Sequence, residues 1–219
     1  MKYDFTDKLM NIDTTFRCPN ECPRCQRTAF ISQGLKIPGV DMPIEDFYKI
    51  INYFKKIQFC GAISDPTANP KMIEMLKYCY KHNNKTFINT AASHKSKKWY
   101  EQAFDANPKA VWTFGVDGLP KDSHKHRINQ DGEKLFKMMK MGVKKGLCIR
   151  WQYIVFRYNE YDIEEARQMA KDNGIKFDLQ FSGRWYYNDK YKPRNPNYYL
   201  NSTNYNLNGY QTTVNSAES

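Results

Sequence analysis

The sequence has no run of about 18 apolar residues, so it offers no membrane-spanning helix. Its start, Met1-Lys2-Tyr3-Asp4-Phe5, lacks the basic and then apolar order of a secretory leader. No second C-x2-C or H-x3-H pair exists to complete a zinc site of the usual two-pair kind, although Cys60 or a distant His could add a ligand. No internal repeat stands out. Acid is in deficit: 23 Asp and Glu against 34 Lys and Arg leave a formal charge of +11. That charge draws a protein towards nucleic acid, nucleotides or an acidic protein. The bases are spread along the chain (Lys95, Lys121, Lys144) rather than massed in one block, so a polyanionic partner is permitted and no more. Six cysteines without a leader point to a reducing cytosol.

What is present is a dense thiol motif. Arg17–Arg27 reads R-C-P-N-E-C-P-R-C-Q-R and sets Cys18, Cys22 and Cys25 at C-x3-C-x2-C spacing. Three cysteines so close cannot all pair with one another, which argues against a disulfide framework. Thiolates favour iron–sulfur clusters, zinc or copper(I). Pro19 and Pro23 keep a regular helix from carrying the three apart. A four-iron cubane needs four ligands and this loop supplies three, leaving one iron open to a small molecule.

The apolar pattern gives the frame. The 219 residues suit one domain able to bury a core. Strands are expected at Leu9–Phe16, Ile57–Gly61, Thr86–Thr90, Ala110–Val116, Leu147–Phe156 and Lys176–Phe181. Between them lies a helix capped by Asp41, Pro43 and Glu45, with Phe47, Ile50, Ile51 and Phe54 on its buried face. The next starts at Asn69-Pro70 and buries Met72, Met75, Leu76 and Cys79. Helices Lys97–Ala106, Glu133–Lys145 and Ile163–Asn173 follow. Alternating strands and helices argue for a parallel sheet with right-handed crossovers, either doubly wound or a partial barrel. The cysteine loop follows the first strand, at the carboxyl end where such folds put their chemistry. On the fifth strand Arg150, Gln152 and Ile154 share one face, and its polar members need partners that a ligand in the lumen would provide. From Arg184 to Ser219 Asn and Tyr dominate. The expectation is a wrap over the core for the first half, with Tyr186, Tyr187, Tyr191, Tyr198 and Tyr199, and a mobile end from Asn204.

C-x3-C-x2-C in this setting resembles the signature of the radical S-adenosylmethionine (SAM) superfamily, over about Asn11–Gln180. The branch it resembles is that of MoaA and the SPASM-bearing peptide-modifying enzymes, without an auxiliary-cluster domain. The resemblance implies an α/β fold, a partial (β/α)6 barrel; with the change in composition at Arg184 this divides the chain into a core, residues 1–183, and an extended Tyr/Asn-rich tail, 184–219. It implies a [4Fe–4S] cluster on Cys18, Cys22 and Cys25, with SAM on the open iron. Ser64-Asp65-Pro66, after Gly61, stands where the family has G-G-E-P, so Asp65 would receive the SAM ammonium in place of Glu. The plain alternative is that Asp-Pro makes a turn. Gly115-Val116-Asp117-Gly118 resembles S-x-D-G with Gly115 for the Ser, so that contact is lost or replaced. His124 and Arg127 resemble a trailing H-x-x-R. Arg127 either pairs with the SAM carboxylate or is a plain surface residue. Arg24 occupies the place of an aromatic that stacks near adenine, and its plane can stack on a base. Gln152 is a candidate for SAM or substrate. Thr90-Ala91-Ala92 lacks the Asn and Gly of T-N-G, and Asn159-Glu160 again looks like this branch. Cys60 receives no role.

The implied activity is reductive cleavage of SAM to a 5′-deoxyadenosyl radical that takes hydrogen from a peptide, protein or RNA. The implied partner is a one-electron reductant of the flavodoxin or ferredoxin type, in the cytoplasm. Cys60, Cys79 and Cys148 lack auxiliary-cluster spacing. The rival classes are a zinc- or cluster-bearing nucleic-acid module without catalysis and a SAM-binding sensor.

Overall fold

The structure is a computed structural model and describes residues 4–183, 185, 188–199 and 210–212. Six strands, β1 (Leu9–Ile12), β2 (Lys56–Phe59), β3 (Lys85–Thr90), β4 (Val111–Gly115), β5 (Cys148–Ile154) and β6 (Lys176–Ser182), lie side by side in chain order and run parallel. This is the open α/β partial barrel that the alternating pattern and the resemblance lead one to expect. β7 (Tyr210–Thr212) adds an antiparallel seventh strand beside β6. Arg184, Tyr186 and Tyr187 lie outside the described residues, as does the rest of the end from Asn204.

Helices α2 (Ile44–Tyr53), α3 (Met72–Lys81), α4 (Lys97–Ala106), α5 (Gly132–Lys144) and α6 (Ile163–Asp172) cover one face of the sheet. Each spends its apolar stripe there: Met72, Met75, Leu76 and Cys79 of α3 are fully buried, as the spacing implies. Trp112 and Phe114 of β4 and Trp151 and Tyr153 of β5 fill the centre of this core. Their neighbours Gln152 and Ile154 point the other way, into the lumen, because side chains alternate along a strand. Arg150 shares their face but reaches no ligand space: Asp178 of β6 holds its guanidinium by two bonds of 2.5 and 2.7 Å. A cross-strand ion pair thus answers the need for which a ligand was invoked.

Two local departures concern the site. β1 stops at Ile12, and residues 13–16 peel away to bind neighbouring loops. Thr14 O accepts from Met42 N (2.9 Å) and Asn69 Nδ2 (2.6 Å). A short helix, α1 (Gln26–Ser32), follows the cysteines and buries none of its residues, so it leaves no apolar period to detect. Asp41 does not cap α2, whose N-cap is Pro43; it accepts from Thr15 Oγ1 (2.6 Å) and pairs with Arg17 instead.

Candidate functional site

Loops at the carboxyl ends of β1 to β6 enclose a cavity of about 750 Å³, within the range of about 300–1,000 Å³ usual for small-molecule sites. Cys18, Cys22 and Cys25 line it, with Arg24 between the last two. So do Gly61, Ser64 and Asp65 after β2, Gly115 and Arg127 from β4 and its following loop, and Gln152 of β5. Strand register explains the grouping: Gly115 lies directly opposite Gln152 in the β4–β5 ladder. Of the residues singled out from sequence, Asp117 sits behind the wall, wholly buried.

The cysteine loop is held from several sides. Asn20 Nδ2 donates to Ala91 O (3.0 Å), Asn129 Nδ2 to Pro19 O (3.2 Å) and Glu21 N to Ile128 O (3.2 Å). Arg27 donates to Phe16 O, and Arg24 pairs with Asp189. All six cysteines are free thiols. Burial, and next the charge of Asp65, pushes the Cys18 thiol up to about 12, and burial raises Cys22 as well. Among the described residues no three His, Cys, Asp or Glu side chains already surround one point as a metal ion would need. The donor set itself fits a soft metal centre: three thiols from one loop, facing one cavity, with no disulfide to compete.

Asp65 is a latch rather than a free acid. Its Oδ1 accepts from Thr67 N (3.0 Å), Thr67 Oγ1 (2.5 Å) and Thr90 Oγ1 (2.9 Å), and its Oδ2 from Ala91 N (2.8 Å) and Ala92 N (3.0 Å). Its own N–H donates to Arg17 O at 2.9 Å. The buried carboxylate therefore binds the loops after β2 and β3 together, and the Asp65 backbone N–H adds the loop after β1. The turn before it needs Gly61, since a Cβ there would stand 2.0 Å from Ser64 O. Asp13, not singled out from sequence, accepts from Ser64 Oγ (2.6 Å) and Ala62 N (3.0 Å) and fixes the same turn.

Across the cavity, Arg127 is no surface residue. Its Nε lies 2.8 Å from Asp117 Oδ2 and its side chain is 15% exposed. Burial opposes ionisation of Asp117, but Arg127, His126 and the Ile154 N–H (3.0 Å) outweigh it and hold the carboxyl below its usual range. The Arg127 charge is stabilised in turn: burial works against it and Asp117 prevails. Gln152 Nε2 donates to Gln180 Oε1 (2.8 Å), which leaves its own carbonyl oxygen for another donor. Gln130 Nε2 spans Ala91 O and Gly115 O (2.5 and 2.9 Å), tying β3 to β4.

Sequence reasoning also missed His126 and Trp185 in the cavity wall. His126 stacks on Phe156 with ring centres 4.0 Å apart, and its Nδ1 lies 3.8 Å from Asp117 Oδ2. Its neighbour Arg127 carried the motif signal; His126 carried none. Asn159 and Glu160 are structural. Asn159 accepts from Phe156 N and donates to Ile154 O, while Glu160 Oε2 accepts from Arg194 N and Asn195 N. Among the described residues no helix is long and apolar enough to cross a membrane.

No family model matches the chain, and no curated protein matches it in sequence. Solved structures match it in fold. SuiB of Streptococcus suis bound to S-adenosylmethionine is 18% identical, with a TM-score of 0.63, over 79% of this chain and 38% of its own. The native anSMEcpe structure with bound AdoMet is 16% identical, with a TM-score of 0.62, over 83% and 55%. Methylornithine synthase PylB is 12% identical, with a TM-score of 0.58, over 76% and 50%. The chain thus matches about two-fifths to just over half the length of these proteins. Further structures show SuiB with its precursor peptide SuiA and anSMEcpe with AdoMet and the Cp18Cys peptide. At these identities the likeness is one of fold alone.

Proposed function

We propose that this chain is a radical SAM enzyme acting on a peptide or protein, with Cys18, Cys22 and Cys25 holding a [4Fe–4S] cluster. The observation that carries this reading is that the three thiols of one C-x3-C-x2-C loop line the lumen cavity of a partial barrel. Solved structures of the same fold hold SAM, and two of those proteins are seen with peptides.

Held by Cys18, Cys22 and Cys25, such a cluster would supply the single electron for reductive cleavage of SAM, and with it the means to take hydrogen from a substrate. The chain's own residues bind, orient and exclude water. Arg127 holds the SAM carboxylate: Asp117 occupies only part of its five-donor fork, and the rest faces the cavity. The Gly61–Ser64 backbone receives the SAM ammonium, with Asp65 and Asp13 fixing its shape. Asp65 itself acts through position, since its oxygens are already engaged. Gln152 offers a carbonyl oxygen to SAM or substrate, and Gly115 leaves the room that the Arg127 guanidinium occupies. Arg24 contributes the plane of its guanidinium to the wall, beside the adenine. A one-electron protein reductant of the flavodoxin or ferredoxin type supplies the electron, in the reducing cytoplasm where such thiols persist.

Anaerobic reconstitution with iron and sulfide tests this directly. The expected result is a brown protein with four irons per chain that forms 5′-deoxyadenosine from SAM under dithionite. A colourless protein that takes up zinc alone and binds nucleic acid overturns it. Tightly bound SAM with no cleavage makes the chain a sensor.

A further inference from the structure

β1 and β6 lie on opposite sides of an open sheet and share no ladder. Their following segments nevertheless meet. Arg24, between Cys22 and Cys25, forms an ion pair with Asp189, seven residues past the end of β6 at Ser182. The side chains are 19% and 1% exposed, so the carboxylate is fully withdrawn from water. Asp189 belongs to a strap, residues 188–199, that is also anchored on the loop after β5, on Lys125 after β4 through the Tyr191 hydroxyl (3.4 Å) and on Ser182 of β6 through Tyr199. Arg157 N donates to Tyr191 O (2.9 Å) and Arg157 Nε to Lys192 O (3.0 Å), while Glu160 accepts from Arg194 N and Asn195 N (2.9 and 3.0 Å). Within the strap, Asp189 Oδ1 accepts from Tyr191 N at 2.9 Å, which orients the carboxylate.

The two halves of the cysteine loop are therefore held by different parts of the fold. Asn20, Glu21 and Pro19 tie the Cys18 half to the loops after β3 and β4. Arg24 ties the Cys25 half to the strap. We propose that Asp189 is a positioning residue for the metal-binding loop, holding Cys22 and Cys25 in register with Cys18 across the open side of the barrel. This rests on the reading of those thiols as cluster ligands. Groups that orient metal ligands at one remove typically govern about 10–100-fold in metal affinity.

The experiment uses the full chain, with Asp189→Asn and the charge swap Arg24→Asp/Asp189→Arg. In metal-free, reduced protein, iodoacetamide alkylation of each cysteine is followed by peptide mass spectrometry. Asp189→Asn is expected to speed alkylation of Cys22 and Cys25 roughly tenfold, with Cys79 and Cys148 unchanged and the swap restoring the slow rates. In reconstituted protein, iron loss to a chelator is expected to rise about 10–100-fold. Wild-type rates for Cys22 and Cys25 in the folded variant overturn the proposal. So does equal acceleration of all six cysteines, which would make Asp189 a support of the whole fold. Should wild-type protein take up no iron, the functional reading fails while the alkylation series still decides this one.

Discussion

Gly115 is bare because Arg127 lies over it: a Cβ at position 115 would come within 2.8 Å of the Arg127 Nη2. The Ser of the S-x-D-G pattern is thus replaced by a guanidinium occupying its space. Gly115→Ser restores the motif on paper and damages the site in fact. It is expected to cost about 1–3 kcal/mol by overpacking and to weaken SAM binding. Urea unfolding and SAM titration check it, and tighter SAM binding would refute this account of the glycine.

Asp117→Asn leaves a buried guanidinium without its counter-charge. The expected loss is about 3–5 kcal/mol at pH 7. Because the folded carboxyl is held below its unfolded value, the wild-type advantage is present above that value, 3.8. It shrinks as pH falls below 3.8 and is gone beneath the folded value. Urea midpoints of both proteins between pH 3 and 7 (roughly the range set by carboxyl titration) measure this. An advantage that grows with acid would contradict the ion pair.

Asp65→Asn turns one acceptor arm into a donor facing N–H and O–H groups that also donate. Each orphaned donor costs about 1–3 kcal/mol. Hydrogen exchange at Ala91 and Ala92 should accelerate, since their amides bond to Asp65 Oδ2. Asp65→Glu is expected to fail as well, because the longer arm displaces the carboxylate from Thr67, Thr90 and both amides. Retained protection in either variant would mean that the latch is dispensable.

Alanine at Cys18, Cys22 or Cys25 is expected to abolish stable iron binding, whereas Cys60→Ala keeps it. Cys60 also lines the cavity but comes from the loop after β2. Iron content after reconstitution separates the two outcomes, and loss of iron in Cys60→Ala would add a fourth thiol to the site.

Periodic elements were legible where one stripe of side chains pays for folding. α4 runs Lys97–Ala106 as its pattern implies, and the buried set of α3 is the one its spacing names. α1 buries nothing and β7 has three residues, so neither leaves a periodic trace. The cysteines announced themselves by spacing. Asp65 was visible as a residue but not as a latch, because its partners Thr90, Ala91 and Ala92 lie on another strand's end. Arg150 pointed to a ligand only while Asp178 could not be seen opposite it. His126, Asp13 and Asp189 gain their meaning from contacts across the sheet, which a local pattern does not encode.

The pairing of Arg24 with Asp189 also sets a timetable. A chain is synthesised from its amino end, and its early portions begin to fold first. The arginine leaves the ribosome long before the aspartate exists, so the thiol loop passes through a period in which this one anchor is missing. Metal delivered to the nascent chain would meet an unfinished cradle, and delivery after release would meet a complete one.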